Sequence, residues 1–267
     1  MRKSNCLPAA LALIIALVFI SGCGCSGGTS SAASTEKAKA LLMEAGKAVS
    51  ETSSYRMNGT MRMDADQAGE GEPLDWSLDI QGEIQQSAGI VSEHMVMSVG
   101  ASKQESYTIG SDYYAFVTDK GWAHMSTGNS KIQNSSLGMI DIQQLGLMAE
   151  LGQDIKVFEE STQRIGISFR LAEDFFKSSL QSEEGVSQEW LDAAGEYLSG
   201  LAAEVRLWIL SDSMLVDAVE LRSNLSEIPP YGMISMSIDL EVRDYNQGLR
   251  ITLPEEAKNA VEVTLPS

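Results

Sequence analysis

Few side chains in this 267-residue sequence could do chemistry at neutral pH: two histidines, His94 and His124, and three cysteines, Cys6, Cys23 and Cys25. Neither histidine stands in a recognisable triad context. The H-E-x-x-H pattern that holds zinc and the Walker A phosphate loop are both missing. A carboxylate-based hydrolase would leave no local signature, because its partners meet only in the fold. The adjacent pairs Glu159-Glu160, Glu183-Glu184 and Glu255-Glu256 suit solvated charge better than a shared proton. The residues therefore predict no enzyme and no cofactor. Lys and Arg number 19 against 37 Asp and Glu, a net charge of -18, so a nucleic acid would meet repulsion rather than release of counterions. Nucleic acid is excluded as a partner.

Two metal patterns fail on spacing. His94, Met95 and Met97 are soft copper ligands by type, but in a strand the two methionines share a face and the histidine points the other way. Asp64 to Asp75 (DADQAGEGEPLD) places Asp64, Asp66, Gly69 and Asp75 at positions 1, 3, 6 and 12 of a calcium loop. It lacks the bidentate Glu at the last position, and its flanks read as strands rather than helices. An acidic hairpin loop is the expectation, with a weak calcium site as the other reading. No metal site is predicted.

Cysteine chemistry is concentrated at the N-terminus. Arg2 and Lys3 precede the apolar run Leu7 to Ile20 (LPAALALIIALVFI), the pattern of a secretory signal and too short for a permanent membrane span. Ile20-Ser21-Gly22-Cys23 follows and resembles the bacterial lipobox, in which the cysteine thiol receives diacylglycerol and the signal, here residues 1–22, is cleaved. Cys25 has a poorer context, with Gly22 and Cys23 at its minus-three and minus-two positions. An ordinary signal with an incidental cysteine is the alternative. On the lipobox reading Cys23 is the lipid-attachment site and the membrane is a partner through it. Two acyl chains at ~0.8 kcal/mol per buried CH₂ give a near-permanent hold. Residues 23–34 (CGCSGGTSSAAS) then form a flexible tether reaching roughly 20 Å, and an acidic domain on it is pushed off an anionic lipid surface. The folded part, residues 35–267, holds no cysteine, so disulfides and thiolate zinc sites are excluded from it.

The elements that would position any site follow from hydrophobic period. Ser34 or Thr35 can cap a helix carrying Ala38, Leu41, Leu42, Ala45 and Val49 on one stripe. The period then changes to two: Tyr55, Met57, Gly59, Met61 and Met63, then Leu74, Trp76, Leu78, Ile80, Gly82 and Ile84. Further strands are expected at Gly89 to Val99, Glu105 to Ile109, Tyr113 to Thr118 and Gly121 to Met125, the last two joined at Asp119-Lys120-Gly121. Met139 to Leu151 is helical in spacing, with an apolar arc wider than one stripe. Strands at Ile155 to Glu160 and Arg164 to Leu171, helices at Ala172 to Gln181 and Gln188 to Leu201, and strands through Val205 to Ile209, Val219 to Leu221 and Ile234 to Val242 complete the chain. One α+β domain built on half-buried antiparallel sheet is the natural reading.

This order of elements, with SYRMNGTMRM after the first helix, the hairpin DYYAFVTDKGWAHM, the strand VRLWILSDSMLVDAVEL and the ending DYNQGLRITLPEEAKNA, resembles the LolA/LppX/LprG superfamily of bacterial lipid carriers and lipoproteins. The resemblance covers most of residues 36–260. It implies a strongly curved antiparallel sheet, a half-barrel, wrapped around helices, with an apolar cavity that holds acyl chains in some members. The candidate lining of such a cavity is Met57, Met61, Trp76, Leu78, Ile80, Met95, Met97, Trp122, Met236 and Ile238. Thirteen methionines beside six phenylalanines suit a surface that adapts to variable apolar guests, though ordinary core filling would use them equally. Ile142, Leu145 and Met148 would face the cavity from a mobile lid, since polar, turn-prone segments bracket that helix; a helix buried on two sides would read the same. The function implied is a membrane-anchored, extracytoplasmic lipoprotein that binds or carries a lipid or other apolar ligand in the half-barrel cavity. The alternative is an interaction or sensory module that uses the same fold to meet an envelope protein.

Overall fold

The period-two segments assemble into one sheet. The computed structural model describes residues 32–65, 74–87, 90–118, 121–126, 142–181, 202–228 and 232–263. After helix α1 (Ala32–Ser50) come β1 (Ser54–Ala65), β2 (Leu74–Ser87), β3 (Ile90–Val99), β4 (Ser102–Ile109), β5 (Asp112–Val117) and β6 (Gly121–Ser126). A 3₁₀ turn (Ile142–Gln144) leads into α2 (Leu145–Leu151), followed by β7 (Gln153–Glu160), β8 (Arg164–Ala172), α3 (Glu173–Gln181), β9 (Ala202–Leu210), β10 (Val216–Ile228), β11 (Gly232–Arg243), a second 3₁₀ turn (Glu255–Asn259) and β12 (Val261–Glu262).

The twelve strands lie in the order β12-β6-β5-β4-β3-β2-β1-β11-β10-β9-β8-β7, an open sheet with two edges. Consecutive strands pair antiparallel on both sides of a central seam where β1 meets β11, with helix α3 inserted between β8 and β9. The short C-terminal strand β12 runs parallel to β6. The sheet is therefore mixed rather than wholly antiparallel. A short return strand can take either direction on an edge because no tight turn constrains it.

Register partners project to the same face of a sheet. One continuous row therefore reads Val157, Ile167, Leu207, Val219, Leu240, Gly59, Ile80 and Met97 across β7 to β11 and on through β1 to β3. This face supplies most of the buried core, together with Ala38, Leu42, Ala45 and Val49 of α1 and Leu145, Met148 and Ala149 of α2. The opposite face carries the polar alternates, such as Asp75, Ser77, Asp79 and Gln81, which are exposed.

Helix α1 already includes Ala32, Ala33 and Ser34, so Ser34 and Thr35 lie inside it rather than capping it. Alanine is the best helix former, and the pair propagates the helix into the expected tether. Helix α1 packs on α2 and β7. A Cβ added at Gly46 would stand 3.2 Å from Leu145 Cβ and 3.4 Å from Gly146 N, so glycine sets this close helix crossing. Lys37 of α1 also donates to Glu160 of β7 at 2.8 and 2.9 Å.

The Asp244-Tyr245-Asn246 phrase is a structural clip. Asp244 and Asn246 adopt positive φ of 56° and 57°, which Asp and Asn tolerate better than most residues. Asn246 Oδ1 accepts from Ser53 N at 2.7 Å, and Tyr245 donates its hydroxyl to the Val216 carbonyl at 2.7 Å. Burial, then the neighbouring Tyr55 and Asp217, hold the Tyr245 phenol well above its ordinary range. The expected helix at Gln188 to Leu201 and the interior of the Asp64 to Asp75 loop lie outside the described residues. Asp64 and Asp75 themselves are register partners across the β1–β2 pair, in strands rather than at the ends of helices.

Candidate functional site

The methionines converge. Met63 and Met236 are register partners across the β1–β11 seam, Met61 faces Ile238, and Met57 faces Gly82, whose other partner is Met95. Met97 partners Ile80, and Trp76 partners Met63. Met57, Met61, Trp76, Leu78, Ile80, Met95, Met97, Met236 and Ile238 thus lie on one face of the adjacent strands β11, β1, β2 and β3. Met61, Leu78, Ile80, Met95, Met236 and Ile238 are buried, while Met57, Trp76 and Met97 are partly buried against them. Gly82 makes room here: a Cβ would meet Met95 Sδ at 2.7 Å and Met57 Cγ at 2.8 Å. The face is apolar, and flexible thioethers cover a point with no side chain.

Trp122 does not join them. It partners Phe116, two residues from the Tyr114–His124 pair, and so projects from the opposite face. Its ring lies 5.6 Å from Phe116 and 5.8 Å from Tyr107. Alternation specifies that Trp122 and His124 share a face, but not which face of the finished sheet that is. Ile142, Leu145 and Met148 are buried, with α2 packed on α1, β8 and α3.

The outer face carries a ladder that sequence reasoning missed. Glu83, His94, Tyr107, Tyr114, His124 and Glu262 follow one another across β2 to β6 and onto β12. His94 stacks on Tyr107 at 4.3 Å and Tyr114 on His124 at 4.5 Å. His94 Nε2 lies 3.0 Å from Glu105, which also accepts from Tyr107 at 3.0 Å and Lys103 at 3.1 Å. Burial alone would raise the Glu105 carboxyl, but the hydrogen bonds from Lys103, His94 and Tyr107 outweigh it and hold the group below its usual range. Burial first, and the bond to Glu105 second, push the Tyr107 phenol up to about 12. His124 bridges Asp112 at 3.0 Å and Glu262 at 2.9 Å. The Asp112 bond is the largest cause of its raised pKa, partial burial opposes it, and Glu262 adds to it.

The methionine face also changes character at one end. Glu93, Ser106 and Thr108 are buried, and register places all three on that face with Tyr113. The signal in the sequence was an acid inside an apolar alternation: Val91, Glu93, Met95, Met97, Val99. Among the described residues no group of three or more His, Cys, Asp or Glu is placed to hold a metal ion, and no helix is long and apolar enough to cross a membrane. Cys23 lies outside the described residues.

No protein-family model and no curated protein sequence matches the chain. Solved structures do. The chain is similar to the lipoprotein LppX of Mycobacterium tuberculosis. That likeness covers 81% of this chain and 99% of the other at 12% identity, with a TM-score of 0.47. A DUF1329 family protein from Desulfovibrio piger aligns over 81% of this chain and 95% of its own at 12% identity and a TM-score of 0.32. MucB, solved in complex with MucA, aligns over 78% of this chain and 56% of its own at 12% identity and a TM-score of 0.31.

Proposed function

We propose that this protein is a non-enzymatic lipoprotein, held outside the cytoplasm on a membrane through acylated Cys23. In this reading the open sheet curves as a half-barrel around the helices, and a lipid or other apolar molecule lies against its methionine face. The observation that carries the reading is the convergence of Met57, Met61, Met63, Met95, Met97 and Met236 on one face of four adjacent strands. Apolar burial at ~25 cal/mol per Å² supplies the binding energy, and unbranched thioethers re-pack around guests of different shape at little cost.

The test is native mass spectrometry of the protein extracted gently from its host membrane. A mass beyond the chain and its covalent anchor, released as lipid on denaturation, is expected. Protein that leaves the membrane uniformly free of such a mass, and takes up none from added lipid vesicles, overturns the reading.

A second reading rests on the outer face. Phe116 is exposed beside Trp122 on the ladder flanked by Glu105 and Asp112, and a protein partner in the envelope would meet aromatic rings rimmed by carboxylates. Salt-sensitive capture of a partner that is lost on Trp122→Ala, without any bound lipid, would favour it.

A further inference from the structure

On the acylated-Cys23 reading, nine residues separate the anchor from the start of α1 at Ala32, a length of chain that spans at most about 30 Å. Lys37, near the start of α1, is ion-paired with Glu160 of β7 at 2.8 Å, and β7 is the edge strand of the sheet. The anchor thus holds that edge close to the bilayer. Two surfaces flank it: the exposed side of α1, where Met43 is 62% exposed, and the outer face of β7 to β9.

The outer face there differs in charge from the rest of the domain. Residues 35–267 carry 17 Lys and Arg against 37 Asp and Glu. Across β7, β8 and β9, however, register sets Lys156, Ser168 and Arg206 in one row and Gln153, Arg170 and Glu204 in another, while Glu159, Gly166 and Trp208 form a third. Glu159 is already paired, since it accepts from Arg164 at 2.9 Å and from Trp208 at 3.1 Å. Lys156 and Arg206 are exposed and form no ion pair among the described residues. A β-bulge between Val157 and Glu159 turns Phe158 onto the same face. Its ring lies over Gly166, 5.5 Å from Trp208 and 5.8 Å from the Arg206 guanidinium, and is 42% exposed. On α1 the balance is opposite: Lys37 and Lys47 are paired with Glu160 and Glu51, which leaves Lys39 against Glu36 and Glu44.

We propose that the outer face of β7 to β9 is the side that the anchored domain turns to the membrane, with Lys156 and Arg206 toward the lipid phosphates and Phe158 at the level of the headgroups. This rests on the acylation of Cys23. Net repulsion sets how far the domain stands off an anionic bilayer, and this face sets which side is turned to it. Ammonium and guanidinium groups free of carboxylates gain most near phosphate oxygens, and an exposed ring beside them suits the amphipathic headgroup layer.

The experiment uses the full acylated chain on vesicles of phosphatidylcholine and phosphatidylglycerol that carry a headgroup quencher. Cys25→Ser removes the second thiol, and a fluorophore is attached either through Gln153→Cys on the outer face of β7 or through Met43→Cys on α1; both positions are exposed. Quenching on the outer face should exceed quenching on α1, with an orientation preference of about tenfold or more for two cations near an anionic surface. Lys156→Glu with Arg206→Glu should abolish the difference, and so should high salt. Equal quenching at the two positions, stronger quenching on α1, or a difference unmoved by the double substitution overturns the inference, and flotation of the same protein with the vesicles leaves the anchor standing. Protein that does not float overturns the anchor and the inference together. Should the Glu pair fail to accumulate, Lys156→Gln with Arg206→Gln is judged by the same outcomes.

Discussion

His124 ties the C-terminal strand to the sheet through charge, with Asp112 of β5 on one nitrogen and Glu262 of β12 on the other. An imidazolium can donate to both carboxylates, whereas the neutral ring has one N–H. Because the folded pKa is raised above the ordinary 6.5, this contribution is fully present below that value and is lost as pH rises through the folded one. The Val263 amide, which donates to the His124 carbonyl at 2.8 Å, reports on it. Its hydrogen-exchange protection, corrected for intrinsic rates, should fall as pH rises above about 6.5, and His124→Gln should flatten that dependence. Two glycines give a contrast at the same scale. A Cβ at Gly59 would press on the Asp239 carbonyl oxygen of the neighbouring strand at 2.0 Å, whereas one at Gly82 meets only methionine side chains. Backbone has nowhere to go and thioethers do. Urea unfolding should show Gly59→Ala costing about 2 kcal/mol or more and Gly82→Ala less than about 1 kcal/mol. The roles of these residues were not legible: alternation marked both glycines as strand positions, but the atoms that crowd them come from other strands.

Helix α2 is short, and its Leu145 and Met148 side chains are completely buried among α1, β8 and α3. Seven residues cannot hold a helix in water by themselves, so packing is what keeps it formed. Leu145→Ala should cost about 2 to 5 kcal/mol in chemical unfolding, and the amides of α2 should exchange as slowly as those of β8. A lid would behave otherwise, exchanging faster than the sheet and slowing when lipid is added. At this scale much was readable in advance. The strands of β1 to β11 follow period-two stretches, and α1 and α3 follow helical stripes, because side-chain direction along one element is a local property. The start of α1 differs from the local signal: Ser34 and Thr35 are cap residues by type, while the alanines before them carry the helix further.

For the molecule as a whole, the proposed anchor at Cys23 and the folded domain make separate predictions. Cys23→Ser should release the protein from membranes or leave an uncleaved precursor, and Cys25→Ser should do neither; a detergent-partition assay reads both. A Cys23→Ser protein still processed and membrane-bound would remove the lipobox assignment. With Arg2 and Lys3 outside it, the domain of residues 35–267 carries 17 Lys and Arg against 37 Asp and Glu, a net charge of -20, and should stand clear of an anionic bilayer and settle closer as salt screens the repulsion, over a Debye length of about 8 to 10 Å at ordinary ionic strengths. Distance measurements from a fluorophore on the domain to labelled lipid would show it.

The amino-acid order by itself determined what is local: the apolar run before Cys23, the helical and strand periods, and the fact that Met95 and Met97 share a face that His94 does not. The tertiary structure decided what depends on register between strands distant in sequence. Alternation is unchanged if a strand is turned over, so nothing in GWAHMS could place Trp122 on the outer face, away from the methionines it was grouped with. Nor could it set Glu93 beside Thr108 and Tyr113, or bring β11 back against β1 to seat Met236 on Met63. Those pairings are selected by which faces bury together across the whole sheet, a non-local free energy that no single stretch of sequence contains.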